Sequence, residues 1–222
     1  MTVGNAAGMP VDAFAALSAL PEVRHGFTCR APGLVVREER VRALQRLDVF
    51  HTEALRRAGL ESRTFITCEQ VHGRCVAAVT SATPVPVPGV DGLVTSDPSV
   101  CLGIYAADCC AVYLVDPQRR VIALLHSGRR GSEAGIAGEA IGRMRADFGC
   151  DPAEMVAQFS PCIRYPNYEV DFAAMIVEQC REAGVGHIED CGICTASHLD
   201  RYYSYRAEKG KTGRMLAFLA LA

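Results

Sequence analysis

Between residues 37 and 60, apolar side chains recur at spacings of three and four: Val41, Leu44, Leu47, Phe50, Ala54, Leu55 and Ala58. This is the period of an amphipathic helix, charged residues fill its other face, and Gly59 can close it. The pattern then changes to short β-rich runs at 64–68, 75–79, 91–95, 101–106, 111–115 and 121–126, with turn residues between them. Their length and composition predict six strands of a sheet. Residues 81–90 carry three prolines and cannot donate in a central ladder, so they form a surface connection. A helical period returns over 132–148 through Ile136, Ala140, Ile141, Met144 and Phe148, with Gly149 at its end. A strand at 155–159, a turn at 160–170, a helix near 172–183 and an apolar C-terminal run complete the pattern. Residues 1–20 are expected to be a loosely attached leader with one short helix over 11–20. Strands and helices interleave without strict βαβ alternation, which predicts an α/β domain of α+β-like character, a mixed sheet flanked by helices.

Composition narrows the class. The 222 residues leave one large or two small domains open, and with 50% hydrophobic and 22% charged residues the chain is neither disordered nor fibrous. Lys and Arg number 23 against 25 Asp and Glu, so there is no basic footprint, no nucleic-acid partner is expected, and any anion must be gripped locally. No apolar stretch is long enough to span a membrane, and residues 1–20 lack the pattern of a secretory signal. An odd total of 11 cysteines cannot all pair within one chain, and free thiols point to the cytoplasm. Most of these cysteines read as small buried hydrophobes.

Three side chains at strand ends are candidates for chemistry. His72 stands in Gln70-Val71-His72-Gly73, Cys109 in Ala107-Asp108-Cys109-Cys110, and His126 at the end of the run 121–126. Two imidazoles and a thiolate suit Zn²⁺ and leave a fourth position open, the catalytic arrangement. Hydrogen-bonded structural histidines are the alternative. The run Ser127-Gly128-Arg129-Arg130-Gly131 leads into the predicted helix, and its backbone N–H groups and guanidinium forks suit phosphate or carboxylate. A tight turn with solvated arginines would have the same sequence. The stretch 201–206 with 210–214 either stacks a base and holds an anion or forms an edge strand and loop. Cys191 and Cys194, with His198 nearby, have the spacing of half a zinc knuckle or a redox pair, but no second CxxC accompanies them. Serine-hydrolase elbows, P-loops and GxGxxG fingerprints are missing from the sequence.

Several ordered motifs resemble the YfiH family of laccase-domain proteins, also called polyphenol oxidases and described as purine nucleoside phosphorylases. These are Gln-Val-His-Gly at 70–73, Asp-Gly-Leu-Val-Thr at 91–95, Ala-Asp-Cys at 107–109 and His-Ser-Gly-Arg-Arg-Gly at 126–131. Tyr-Glu-Val at 168–170, Tyr-Ser-Tyr-Arg at 203–206 and Thr-Gly-Arg at 212–214 follow. The match runs from about residue 23 to the end.

The resemblance implies one zinc per chain on His72, Cys109 and His126, with copper binding only adventitiously. It implies phosphorolysis of adenosine, inosine, guanosine or methylthioadenosine, and deamination of adenosine by attack of an activated water on C6. Substrates would be a purine nucleoside and phosphate, met by Gln70, Arg129, Arg130, Glu169 and Arg206. Asp108 and Glu169 are the positional candidates for acid–base work. An amidase acting on peptidoglycan precursors and a degenerate nucleotide- or partner-binding homologue are the alternatives. Copper phenol oxidation suits one His₂Cys site poorly, because a laccase needs several copper centres. The family's usual Trp after the second His is Arg129 here, its Pro after Ala-Asp-Cys is Cys110, and its N-terminal substrate-contacting segment has no clear counterpart in 31–60. Motifs that must meet in one cleft extend from His72 to Arg206, so 21–222 reads as a single catalytic domain after the 1–20 leader, monomeric or homodimeric.

Overall fold

The computed structural model describes residues 8–222. Along these residues the chain forms β1 (Val11–Asp12), α1 (Ala15–Ser18), β2 (Val23–Thr28), α2 (Arg40–Arg57), β3 (Thr64–Thr67) and β4 (Val76–Ala78). Then come β5 (Gly92–Thr95), β6 (Val100–Ala106), β7 (Cys110–Asp116), β8 (Val121–Ser127), α3 (Arg129–Glu133) and α4 (Ile136–Phe148). The last elements are β9 (Val156–Phe159), α5 (Phe172–Glu182), β10 (His187–Asp190) and β11 (Met215–Leu221).

The strands build two mixed sheets where the sequence suggested one. The first has the order β1-β2-β11-β6-β3 and the second β10-β9-β7-β8-β5-β4. The period-2 alternation of side chains explains how they stack. From β7, Ala111, Tyr113 and Val115 join Phe27, Ile66, Leu102 and Leu219 of the first sheet in the core between the sheets. The alternate residues Cys110, Val112 and Leu114 face away, against Ile141 and Met144 of α4 and Ile176 of α5. In β11, Met215, Ala217 and Leu219 point to the inner core, while Leu216 and Phe218 meet Leu60 and Phe65 on the outer face. The layers are therefore sheet, sheet and helices, with α2 running over the first sheet. Tyr113 ties the sheets together by donating its hydroxyl to the Gly26 carbonyl at 2.8 Å.

Three sequence expectations need correction. The stretch expected as one short helix over 11–20 divides into β1 and the single turn of α1. It is not loosely held: Met9, Phe14 and Leu17 are buried in the inner core, while residues 1–7 of the expected leader lie outside the described residues. The helix expected over 132–148 is broken, because Gly135 adopts a left-handed φ of 84° between the one-turn α3 and the longer α4. Strand β2, the polar edge strand β10 and β11 were not expected as strands.

α2 reaches the first sheet through His51, which is buried and whose Nε2 donates to the Arg214 carbonyl at 3.1 Å. Burial lowers its pKa to about 4, so the folded protein resists its protonation while the unfolded chain accepts a proton near the ordinary imidazole value of about 6.5. A depressed folded pKa gives stability that is complete above the unfolded value and lost as pH falls towards the folded one. Urea unfolding of the wild type between pH 7 and 5 should show a loss of about 2 kcal/mol that His51→Gln lacks. Parallel pH profiles of the two proteins would remove this assignment.

Candidate metal centre and active-site cleft

The site is assembled where strands of the second sheet end. β8 delivers His126, the turn before β7 delivers Cys109, and the loop between β3 and β4 delivers His72. One ligand-capable atom from each lies within 4.8 Å of the others, and among the described residues no second group of three such side chains comes as close. The two imidazoles meet edge to face, with ring centroids 4.8 Å apart.

Asp91, at the start of β5, holds this arrangement and is fully buried. Its Oδ1 accepts from the His72 backbone N–H at 2.8 Å and pairs with His126 Nδ1 at 2.9 Å, and its Oδ2 accepts from the Gly73 N–H at 2.7 Å. With Nδ1 occupied by the carboxylate, His126 is left with Nε2 for a ligand, the tautomer a metal requires. Burial works to raise the Asp91 pKa, but the bonds from His126 and the two backbone N–H groups hold it below the ordinary carboxylate value. Asp91 belongs to the Asp-Gly-Leu-Val-Thr motif at 91–95, and nothing in that motif alone marks it as the residue that orients a ligand.

Cys109 is the thiol that lies between imidazoles. Burial works to raise its pKa, yet the charge of His126 and hydrogen bonds from both imidazoles outweigh burial and lower it. Burial works to lower the pKa of His126, and the Cys109 thiolate together with Asp91 raises it. A thiolate flanked by imidazoles is the donor set of a metal site, and a metal would displace the shared proton. Gly128 leaves room for the sulfur: a Cβ built there would stand 2.6 Å from Cys109 Sγ. Donor chemistry, tautomer and space thus all fit a metal ion on His72, Cys109 and His126.

Backbone strain gathers at the same place. Of five non-glycine residues with positive φ among the described residues, Gln70, His72 and Asp108 are ligands or close neighbours of ligands, with φ of 63°, 63° and 85°. Such conformations cost about 1–3 kcal/mol each and persist only where surrounding bonds impose them. Here the bonds are visible. Gln70 donates Nε2 to the Tyr105 carbonyl at 2.6 Å and accepts from the Tyr105 N–H at 3.1 Å. Asp108 accepts from Thr195 Oγ1 at 2.7 Å and from the Arg206 N–H at 2.7 Å. Both oxygens of Asp108 are therefore engaged in holding loops, which suits a positioning residue better than the acid–base role its position suggested.

The ligands open into a cleft of about 1110 Å³. Arg129, Arg130 and Arg206 line it as the sequence led one to expect, but they do not share one environment. Arg129 pairs with Glu133 at 2.8 Å and lies 3.9 Å from Glu169, and Arg206 pairs with Glu169 at 2.7 Å. Glu169 is exposed at the mouth. The helix that follows Ser127–Gly128 is the one-turn α3, not the long helix expected there. Arg214, from the 210–214 stretch that the sequence offered as an anion holder, and Arg40, which it did not single out, also line the cleft. Arg40 begins α2, so the stretch 31–60 does reach the site. Tyr205 and Tyr168 supply aromatic walls, the latter with the Arg206 guanidinium 4.9 Å from its ring. In the 201–206 cluster, by contrast, Tyr202 and Tyr203 are buried in the core rather than exposed to a base.

Cys191 and Cys194 lie outside the cleft. Cys194 Sγ accepts from the Arg164 N–H at 3.3 Å and from Asn167 Nδ2 at 3.4 Å, and with Cys191 and His198 it forms no metal-binding group. All eleven cysteines are free. No helix among the described residues is long and apolar enough to cross a membrane.

Removing the carboxylate that orients His126, by Asp91→Asn, should weaken metal binding about 10- to 100-fold. Gly128→Ala should do the same by pushing Cys109 Sγ aside, with the far-ultraviolet circular dichroism unchanged. Metal content after dialysis against a graded chelator measures both, and full retention by both variants would show that these contacts do not define the site.

Comparison with known proteins agrees with the fold and the motifs. The family described as multi-copper polyphenol oxidoreductase laccase matches residues 45–175 and 167–222. A purine nucleoside phosphorylase of Streptomyces coelicolor is 31% identical over 195 residues, covering 76% of this chain and 79% of that protein. The purine nucleoside phosphorylase YlmD of Geobacillus stearothermophilus is 30% identical over 195 residues, 70% of this chain and 71% of its own. Among solved structures, Bacillus licheniformis YfiH, titled a hypothetical protein, superposes with a TM-score of 0.82 at 22% identity, over 90% of this chain and 93% of that one. YlmD from Geobacillus stearothermophilus superposes with a TM-score of 0.77 at 25% identity, over 91% and 93%. With family motifs, fold and ligand cluster in agreement, the chain belongs to the YfiH-like, multi-copper polyphenol oxidoreductase laccase family.

Proposed function

We propose that the protein is a zinc-dependent purine nucleoside phosphorylase that acts on adenosine, inosine, guanosine or methylthioadenosine and also deaminates adenosine. The observation that carries this reading is the convergence of His72, Cys109 and His126 in a cleft whose walls combine arginines with tyrosine rings. The names of the relatives support the same class of enzyme. A single group of three ligands among the described residues favours one zinc per chain over the several copper centres of phenol oxidation. Eleven free thiols accord with a cytoplasmic protein.

In phosphorolysis a phosphate oxygen forms a bond to ribose C1′ as the glycosidic bond breaks, and the purine leaves with the electron pair and takes up a proton. In deamination, water replaces the amino group at C6, which leaves as ammonia. When bound, zinc supplies Lewis-acid polarisation and lowers the pKa of a water towards about 7. The protein's own residues supply placement. Arginine forks neutralise and orient phosphate, which lowers the entropy lost in bringing two substrates together. Tyr168 and Tyr205 offer faces to a purine. Asp108 keeps the Arg206 backbone fixed to the segment that carries Cys109. Glu169, paired with Arg206 and close to Arg129, sets the charge at the mouth.

Zinc-loaded protein incubated with the four nucleosides, with and without phosphate, should release free base only when phosphate is present, with ribose 1-phosphate in equal amount. Ammonia should appear from adenosine. Cys109→Ser should lose about two orders of magnitude or more in both activities, as expected when an ionised ligand and its metal are lost together. Protein that carries one zinc and is inert towards all four nucleosides would overturn the reading.

A further inference from the structure

Of the five arginines that line the cleft, Arg130 is exposed and has no carboxylate within ion-pair distance among the described residues, and the other four divide into two sets by what neutralises them. At the mouth, Arg129 and Arg206 are about half exposed and matched to Glu133 and Glu169. Deeper, Arg214 is only 9% exposed, and among the described residues neither it nor Arg40 has a carboxylate within ion-pair distance. Arg214 Nη1 donates to the carbonyls of Thr212 and Gly213, each at 2.9 Å. Arg40 donates to the Glu69 carbonyl at 3.0 Å and to Gln70 Oε1 at 3.2 Å. These are neutral acceptors that fix the direction of each guanidinium without cancelling its charge.

Strand register brings the two together. Met215 of β11 pairs with Ala106 at the end of β6, so Arg214 stands beside the turn that leads into Asp108 and Cys109. On the other side of the same strand, Gln70 grips both backbone groups of Tyr105 and presents its side-chain oxygen to Arg40. Two cations thus flank the end of β6 and both line the cleft. Burial and the like charge of Arg40 hold the Arg214 guanidinium below its ordinary pKa, while Cys109 and Asp108 act the other way. A buried, hydrogen-bonded and uncompensated guanidinium is costly unless an anion completes it.

We propose that Arg214 and Arg40 form the seat of the inorganic phosphate co-substrate, deep in the cleft beside the Cys109 segment, and that the arginines at the mouth do not. The proposal rests on the phosphorolysis reading for the identity of the anion. It moves that task from Arg129, Arg130 and Arg206 to Arg40 and to Arg214, whose 210–214 stretch had anion holding as one of its two sequence readings. Forked donors on two sides suit a tetrahedral oxyanion.

The test is calorimetric titration of zinc-loaded protein with inorganic phosphate, together with KM values for phosphate and nucleoside and the zinc content of each variant. Arg40→Ala and Arg214→Gln should each weaken phosphate binding about 10- to 100-fold, as loss of a charge-assisted bond predicts, with nucleoside KM changed by less than about threefold. Arg40→Lys should recover part of the loss. The double variant Arg129→Ala/Arg206→Ala should keep its phosphate Kd within about twofold of wild type, because those charges are already paired. Arg40 is partly exposed at the first turn of α2, so Arg40→Ala gives a result even if Arg214→Gln fails to fold. Phosphate binding that survives both inner substitutions, or that is lost in the double variant at the mouth, overturns the seat while leaving phosphorolysis standing. Protein that binds phosphate through Arg40 and Arg214 but turns over no nucleoside keeps the seat and overturns the phosphorolysis reading. Wild type that neither binds phosphate nor reacts overturns both.

Discussion

A carboxylate without access to water is the constraint on which the site depends. Buried alone, Asp91 would be prohibitively costly as an anion. It is tolerated because two backbone N–H groups and one imidazole surround it. Those donors belong to two separate parts of the chain, the 72–73 turn and the end of β8, so satisfying one buried charge fixes where both histidines stand. The backbone takes part as well, since the His126 N–H donates to the Asp91 carbonyl at 2.7 Å and the Asp91 N–H to the Cys75 carbonyl at 2.9 Å. The left-handed backbone at His72 is one local expense of this closure, offset by the bonds it allows.

The sheet arrangement serves the same end. β7 and β8 are buried on both faces, and Cys109 and His126 are carried at one end of that pair, where Cys110 is opposite Ser127. A metal site needs its ligands held within a fraction of an ångström, and strand ends in a two-sided core provide that more readily than loops. Cys109 sits in the short turn that enters β7, and His72, on the longer loop between β3 and β4, is the ligand whose backbone is clamped by the carboxylate.

The sequence showed this unevenly, for physical reasons. β3 to β8 were legible because each is a short β-rich run between turn residues. β11 was not, because Met215–Leu221 has no β-branched residue and so reads simply as an apolar run. β10 was hidden for the opposite reason: His187–Asp190 is a polar edge strand whose pairing with β9 is made by backbone alone. The break at Gly135 was invisible in a periodic stretch that continues on both sides of it. Within the site, the ligands could be picked out as strand-end residues and by the family motifs, whereas Asp91 could not be ranked above other acidic residues until its isolation from water was known. Arg40 and Arg214 come together through strand pairing across the first sheet, which no local pattern encodes.

The thiols make the same point about environment over composition. Burial raises Cys68, Cys101 and Cys180 to about 12, which makes them inert packing groups at neutral pH. Cys109 also experiences burial that works to raise it, and departs from the others only because imidazoles stand beside its sulfur. Charge along the cleft is graded by the same logic. A net charge of −2 suggests nothing about anion binding, yet Glu133 and Glu169 pair with Arg129 and Arg206 while Arg40 and Arg214 are left without a carboxylate partner among the described residues. An anion entering such a cleft meets little attraction at the surface and its strongest partners where water is scarce, where each unit of charge counts for more. Discrimination then occurs beside the metal ligands, at the point where a bound anion is close enough to react.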